Sequence, residues 1–168
     1  MLLACLLLRP SGLAANDGLS YFGGFLNTAV PYSFSFLLYA YFLWRVAPLL
    51  ATSLGSKDAW AIVLALRVMS GLLVGLVLTP HTLVNGIHTV FGTALFASQL
   101  LFSIYLFVRQ RDWQNGVILL VQLASGLAAL YYLPKHGGLL LQSQVMFQLA
   151  FGLLLRRVAM ARPDKATL

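Results

Sequence analysis

The chain has 168 residues, of which 60% are hydrophobic and only 9% carry a charged side chain. A soluble domain has about 25% charged residues, so this composition excludes a globular fold with a water-facing surface and makes lipid the solvent. The formal net charge is +7, but the basic residues lie in short segments between long apolar runs. That distribution is typical of membrane topology and argues against nucleic acid as a partner. The sequence therefore predicts one all-α membrane domain, a transmembrane bundle of five full helices plus a short N-terminal helix.

The first two segments flank the predicted bundle on one side. Residues 1–9 are apolar, but as a helix they span only about 13 Å, less than half of a hydrocarbon core of about 30 Å, so they predict a short helix. Residues 10–30 contain the turn formers Asn16-Asp17-Gly18 and Gly23-Gly24, which predict an outer loop folded against the membrane surface. The only cysteine is Cys5, so no intramolecular disulfide is expected.

Five longer apolar runs follow. The first begins near Pro31, a residue favoured in the first turn of a helix, and Pro80 similarly predicts the start of the fourth helix in the chain. The second of these runs, which is the third helix in the chain, contains Gly71 and Gly75, a GxxxG spacing that lets another helix approach closely. The predicted helices cover about 31–47, 59–78, 81–108, 114–133 and 139–155, and residues 156–168 form a basic tail.

The charges between the helices predict an orientation in the membrane. Only Arg9 and Lys135 fall on one side, and all three tryptophans fall on the other. The basic residues on the tryptophan side are Arg45, Lys57, Arg109, Arg111, Arg156, Arg157, Arg162 and Lys165. By the positive-inside rule this predicts a multi-pass protein of the cell membrane with a cytoplasmic C-terminus.

Arg67 lies well inside the third helix, nine residues beyond Asp58 and hence roughly 13 Å along it. Gln99, Gln122 and Gln148 reach a comparable depth in three other helices. An intramembrane charge usually faces protein rather than lipid, so we expect the three glutamines to hold the guanidinium inside the bundle, where it binds an anionic lipid or a membrane-protein partner. The alternative is that the Arg67 side chain snorkels to the headgroups without internal partners.

An outer polar cluster is expected near the opposite membrane surface. If the fourth helix begins at Pro80, three residues of this cluster, His81, Asn85 and His88, share one helix face at i, i+4 and i+7. Two histidines seven residues apart do not reproduce a HExxH zinc pair. A haem needs an axial histidine deep in the bundle. We therefore expect neither a metal nor a cofactor. The cluster consists of Asp17, His81, Asn85, His88 and His136.

Catalytic motifs are scarce. The chain has no glutamate and only four aspartates, and it lacks a GxSxG nucleophile turn and a phosphate-binding glycine loop. The sequence thus predicts a non-enzymatic membrane module that binds a lipid or protein partner through the network around Arg67. The alternatives are a small-solute transporter and a membrane enzyme that uses the outer histidines.

The short first span, the longer outer loop, and Pro80 with His88 opening the fourth of six helices resemble the DRAM-like six-helix membrane proteins and their prokaryotic relatives. The resemblance implies a six-helix bundle and residence in a membrane, and it implies no particular reaction. The abbreviated first helix departs from the family pattern.

Overall fold

The computed structural model describes residues 2–14, 18–54, 59–133 and 139–160. All regular structure in these residues is helical, which confirms the all-α bundle. A short helix α1 (Leu2–Leu8) and two 3₁₀ segments (Pro10–Ala14 and Gly18–Gly24) precede five long helices. The long helices are α2 (Leu26–Ser53), α3 (Ala59–Leu78), α4 (Asn85–Arg109), α5 (Trp113–Tyr132) and α6 (Leu140–Met160).

The long helices alternate in direction, because the connections between them are short. The starts of α2, α4 and α6 therefore lie with the ends of α3 and α5, at what we call the histidine end, because His81 and His88 lie there. The opposite ends of the same helices form the arginine end, with Arg109, Arg111 and Arg157. Helix α3 packs against α2 and α4, and α5 packs mainly against α6.

One apolar core fills the space between α2, α3, α4 and α6. Leu43, Leu66, Leu73, Phe151 and Leu154 are all at most 1% exposed. A polar contact ties the closest pair of helices, since the Ser70 hydroxyl donates to the Ala40 carbonyl at 2.9 Å. The outer faces of the long helices carry many exposed large apolar side chains, as helices surrounded by lipid require.

Four of the described helices, α2 to α5, are long and apolar enough to cross a membrane. Helix α6 has 21 residues and is about 31 Å long, but it carries three glutamines and two arginines and does not meet the same apolarity criterion. A membrane-embedded bundle follows from the four spans. The fifth span and the cytoplasmic C-terminus stay predictions.

The helix boundaries differ from the predicted ones at four places. Helix α2 ends at Ser53 rather than 47, because Pro48 lies inside the helix and does not end it. Helix α2 begins at Leu26 rather than near residue 31, because Phe25 is extended and the Thr28 hydroxyl, in the first turn, donates to the Phe22 carbonyl at 2.6 Å. Helix α4 begins at Asn85 rather than 81, because residues 81–83 form a turn closed by hydrogen bonds to the Pro80 carbonyl. Helix α6 extends to Met160 rather than 155.

The predicted outer loop is a packed cap over the histidine end. Phe22 is completely buried there, together with Cys5, Tyr32 and Leu141. The Gln142 side chain donates to the Leu13 carbonyl at 3.2 Å, which joins the first 3₁₀ segment to α6. Because the cap is fixed to both α2 and α6, its side chains have defined positions over the ends of α3 and α4.

Candidate ligand-binding pocket at the histidine end

His88 is the centre of a hydrogen-bonded group at the histidine end. Its side chain is 5% exposed, and its Nδ1 lies 2.6 Å from the Thr79 carbonyl oxygen. A carbonyl can only accept, so Nδ1 carries a proton, and in the neutral ring Nε2 is an acceptor. The Ser20 hydroxyl lies 2.8 Å from Nε2 and donates to it. The imidazole is thus fixed in one tautomer by two partners on either side.

A pocket of about 100 Å³ opens beside this histidine. The cap contributes Ser20, α2 contributes Tyr32 and Ser33, and the connection between α3 and α4 contributes His81. The His81 ring stands edge-on to the His88 ring, with 5.7 Å between the ring centroids. Hydroxyl and imidazole groups from three parts of the chain therefore converge on one small volume, whose remaining walls are mostly apolar.

The position of Ser20 depends on the contact between the cap and α6. The backbone N–H of Leu19 donates to Gln144 Oε1 at 2.8 Å. Gly18 has a positive φ of 56°, and a Cβ there would come within 2.3 Å of the same Gln144 oxygen. The positive φ favours glycine at this position, and a Cβ there would displace the Gln144 side chain. No sequence motif marks Ser20 as a site residue, although the aromatic Tyr21-Phe22 beside it indicates that this segment lies against the membrane surface.

The predicted outer cluster is only partly assembled. His81 and His88 are in contact, but His81 lies in the turn before α4, so the expected single helix face is wrong. Asn85 is exposed and accepts a hydrogen bond from Thr89 at 3.2 Å, and it does not line the pocket. Asp17 and His136 lie outside the described residues. Among the residues that are described, no three potential metal ligands come together.

Two of the three predicted glutamines form a pair in the middle of the bundle. Gln99 Nε2 donates to Gln148 Oε1 at 2.9 Å, and Gln148 Nε2 donates to Gln99 Oε1 at 3.0 Å. The Tyr39 hydroxyl lies 3.5 Å from Gln99 Nε2, which brings a third helix to the pair. Gln122 is completely buried, and neither atom of its amide has a partner among the described residues.

The predicted network around Arg67 is wrong. The Arg67 side chain is exposed on the surface of α3, and its guanidinium carbon lies 4.5 Å from the centre of the Trp44 ring. None of the three glutamines donates to it or accepts from it. Since α3 is apolar on all sides, its sequence gives the depth of Arg67 but not the direction in which the side chain points.

A larger pocket of about 280 Å³ lies at the arginine end. Its polar groups pair with one another, because Arg157 donates to Asp112 at 2.8 Å and to Asn115 at 3.2 Å. The Arg157 and Asp112 side chains are each 41% exposed, and an exposed ion pair contributes little stability. We regard this pocket as a surface groove where α6 meets the start of α5, and the smaller pocket as the candidate site.

No protein-family model matches this chain, and no curated protein or solved structure is significantly similar to it. The resemblance to the DRAM-like proteins therefore stays a prediction. The geometry of the pocket is the basis for the function proposed below.

Proposed function

We propose that this protein is a non-enzymatic, membrane-embedded binding module that takes the hydroxyl-bearing headgroup of a lipid into the pocket beside His88. The observation that carries the proposal is the fixed tautomer of His88, whose Nε2 is an acceptor at the pocket and already has the Ser20 hydroxyl in place. While the Ser20 proton stays directed at Nε2, a lone pair of Ser20 Oγ can accept a hydrogen bond from a bound hydroxyl. The predicted role in binding a lipid is kept, and its site moves from Arg67 to the histidine end.

The location of the pocket supports a lipid ligand. It lies where α3 ends and α4 begins, and the three long helices that line it, α2, α3 and α4, are candidate membrane spans. This level corresponds to the interface between hydrocarbon and headgroups. Apolar side chains such as Leu76 and Val77 also line it, so a headgroup can enter while its acyl chains stay against the outer surface of the helices.

The size and chemistry of the pocket favour a small uncharged polyol group. One water molecule occupies about 30 Å³ in the liquid, so about 100 Å³ accommodates roughly three waters or a fragment such as glycerol. Of the described residues that line it, none is a carboxylate, a lysine or an arginine. Hydroxyls suit this mixture of donors and acceptors better than a bare phosphate or ammonium group.

Lipid retention in nanodiscs tests the proposal. Nanodiscs are prepared with equal amounts of phosphatidylglycerol, which ends in a glycerol, and phosphatidylcholine, which has no hydroxyl. Native mass spectrometry then identifies the lipid that stays bound to the extracted protein. We expect the wild type to retain more phosphatidylglycerol than phosphatidylcholine. Ser20→Ala and His88→Gln should reduce that preference at least fivefold, whereas Asn85→Ala, at the same end but outside the pocket, should leave it unchanged. Equal retention of the two lipids by the wild type would overturn the proposal.

A second candidate is a membrane esterase with Ser20 as the nucleophile. The 2.8 Å contact between Ser20 Oγ and His88 Nε2 favours it, with the Thr79 carbonyl in the orienting position that a carboxylate has in other serine hydrolases. His88 would take the Ser20 proton as Oγ attacks an ester carbonyl. It would then return the proton to the departing alcohol as the C–O bond breaks, and water would release the acyl group.

A fluorophosphonate probe, which forms a covalent bond only with an activated serine, separates the two candidates. The binding module predicts no labelling of the wild type above the Ser20→Ala level. The esterase predicts labelling of Ser20 that is lost in His88→Gln and kept in Ser33→Ala.

Transport is less well supported, because Leu95 lies between His88 and Gln99 on α4 and is buried in the apolar core with Leu73 and Leu76.

A further inference from the structure

Arg67 is a positive charge on the outer surface of the bundle at the depth of the hydrocarbon. Helix α3 begins at Ala59, so Arg67 lies about 12 Å along it. The guanidinium lies over the Trp44 ring, and none of the described acidic side chains pairs with it, since the ion pair that the described residues form joins Arg157 to Asp112. Among the described residues, the Arg67 charge is therefore matched by an aromatic ring alone.

The ring offsets only part of the cost of this charge. An arginine at the centre of a membrane helix costs about 2.5–3.5 kcal/mol on insertion scales. A cation–π contact contributes about 0.5–1 kcal/mol when exposed and about 2 kcal/mol when desolvated. A carboxylate at the same depth would supply the missing counter-charge and two acceptors for the planar guanidinium.

The Trp44 contact also shows where the charge points. Helix α2 begins at the histidine end, and side chains lean toward the N-terminus of their own helix. By the same rule the Arg67 side chain leans toward the arginine end, where α3 begins. The Trp44 ring leans the other way, and its contact with the guanidinium at 4.5 Å opposes an extension of Arg67 toward that end. A snorkelling arginine would instead extend toward the headgroups at the arginine end. This geometry favours a partner within the hydrocarbon over a lipid phosphate.

The outward face of α3 has the shape of a helix-docking surface. Five of its six exposed residues follow one another at steps of four, three, four and seven, the spacing of a seam between two helices that wind around each other, and the sixth, Val68, lies beside Arg67. At Gly71, one turn from Arg67, no atom lies within 4 Å of where a Cβ would be, so a second backbone can approach closely. The seam, which we call the α3 seam, consists of Trp60, Leu64, Arg67, Gly71 and Leu78.

The outward face of α5 provides the contrast. Its exposed residues include Val117, Leu120, Leu127 and Leu130, all apolar, and it carries no charge. Such a face is suited to acyl chains. The α3 seam combines a charge, a bare glycine and a heptad spacing, and these three features together are not needed for contact with lipid.

We propose that the α3 seam docks one transmembrane helix of a second membrane protein, and that this helix carries an aspartate or glutamate level with Arg67. A second copy of this chain does not fit, because helices α2 to α6 contain no acidic residue. Two copies would also bring two Arg67 side chains together. The partner is thus defined by an intramembrane carboxylate that this chain lacks.

Site-specific photocrosslinking in native membranes tests the proposal. A photoreactive phenylalanine analogue replaces Leu64, which is 52% exposed and one turn from Arg67. The matched control carries it at Leu127 on α5, which is 67% exposed. We expect the Leu64 position to give an adduct with a second protein at least tenfold above the control. Peptide mass spectrometry should place the adduct in a spanning segment that contains Asp or Glu.

Charge exchange then decides the mechanism. Arg67→Leu and Gly71→Leu should each reduce the adduct at least tenfold while the thermal unfolding temperature stays near that of the wild type. Arg67→Glu should also lose the adduct. Changing the partner's acidic residue to arginine should restore it in that variant. The proposal is overturned by adducts with lipid alone, by an adduct between two copies of this chain, by a partner without an acid at that depth, by no adduct, or by an adduct that survives Arg67→Leu.

Discussion

The two polar sites in the helical bundle, the pocket beside His88 and the surface around Arg67, differ in how their polar groups are satisfied. At the histidine end, His88 has a partner on each ring nitrogen, and both partners belong to segments that other contacts hold in place. Arg67 has a full charge, and in the part of the chain that the structure describes its partner is a tryptophan ring alone. The pocket beside His88 is part of the folded core, so substitutions there should affect both stability and ligand binding. Arg67 lies on the outer surface of the bundle, so substitutions there should affect association with a partner protein but not stability.

Replacing His88 should have the largest effect on stability. His88→Phe leaves the Ser20 hydroxyl and the Thr79 carbonyl without their partner, and each unsatisfied buried group costs about 1–3 kcal/mol. We expect the free energy of unfolding in mixed micelles to fall by about 2–3 kcal/mol. Asn85→Ala is the control at the same end and should be neutral. An unchanged free energy of unfolding would mean that the histidine is not part of the fold.

The two glycines of the GxxxG motif should separate packing from docking. A Cβ at Gly75 would lie 2.7 Å from the Phe91 ring, and overpacking of this kind costs about 1–3 kcal/mol. Gly75→Leu should therefore destabilise the protein, whereas Gly71→Leu, which meets open space, should not. Unfolding of the two variants side by side checks this, and equal destabilisation would contradict the assignment of Gly71 to an open surface.

The glutamine pair should show coupling of about 1 kcal/mol, because hydrogen bonds between membrane helices average about 0.6 kcal/mol and reach about 1.7 kcal/mol. Gln99→Leu or Gln148→Leu alone leaves one buried amide without its partner. The double variant removes both amides, so it should be more stable than the sum of the single changes implies. A double-mutant cycle measures the coupling, and strict additivity would show that the pair is not formed.

Arg67 should have the smallest effect on stability. Arg67→Leu removes the cation–π contact but also the cost of a charge in hydrocarbon, so the free energy of unfolding should change by less than about 0.5 kcal/mol or increase slightly. The buried network predicted from the sequence would instead give a loss of several kcal/mol. The unfolding titration used for His88→Phe distinguishes the two outcomes directly.

Much of the fold could be predicted from the sequence, because apolar runs of membrane length determine where helices lie. The third predicted helix, 59–78, matches α3 at both ends. The starts of α2 and α4 were wrong, because Pro31 and Pro80 were each interpreted as a first helical residue. Pro31 is inside α2, and Pro80 precedes the turn before α4.

The site was harder to predict, because helical counting gives depth and not direction. It placed Gln99 and Gln148 at one level, where they do pair. It placed Arg67 at a similar level but could not show that the side chain points outward. Ser20 lies 68 residues from His88 in the chain, in a segment without helical periodicity, and only the packing of the cap on α6 brings the two together.

Nitrogen-15 NMR of the histidine rings tests the central claim most directly. The chain has three histidines, so His81→Gln with His136→Gln leaves His88 as the only signal. We predict a neutral ring protonated at Nδ1 with an unprotonated Nε2, and a shift of the Nε2 resonance when phosphatidylglycerol replaces phosphatidylcholine in the nanodisc. A ring protonated at Nε2 in the neutral state, or an Nε2 resonance that does not respond to the lipid, would contradict the account.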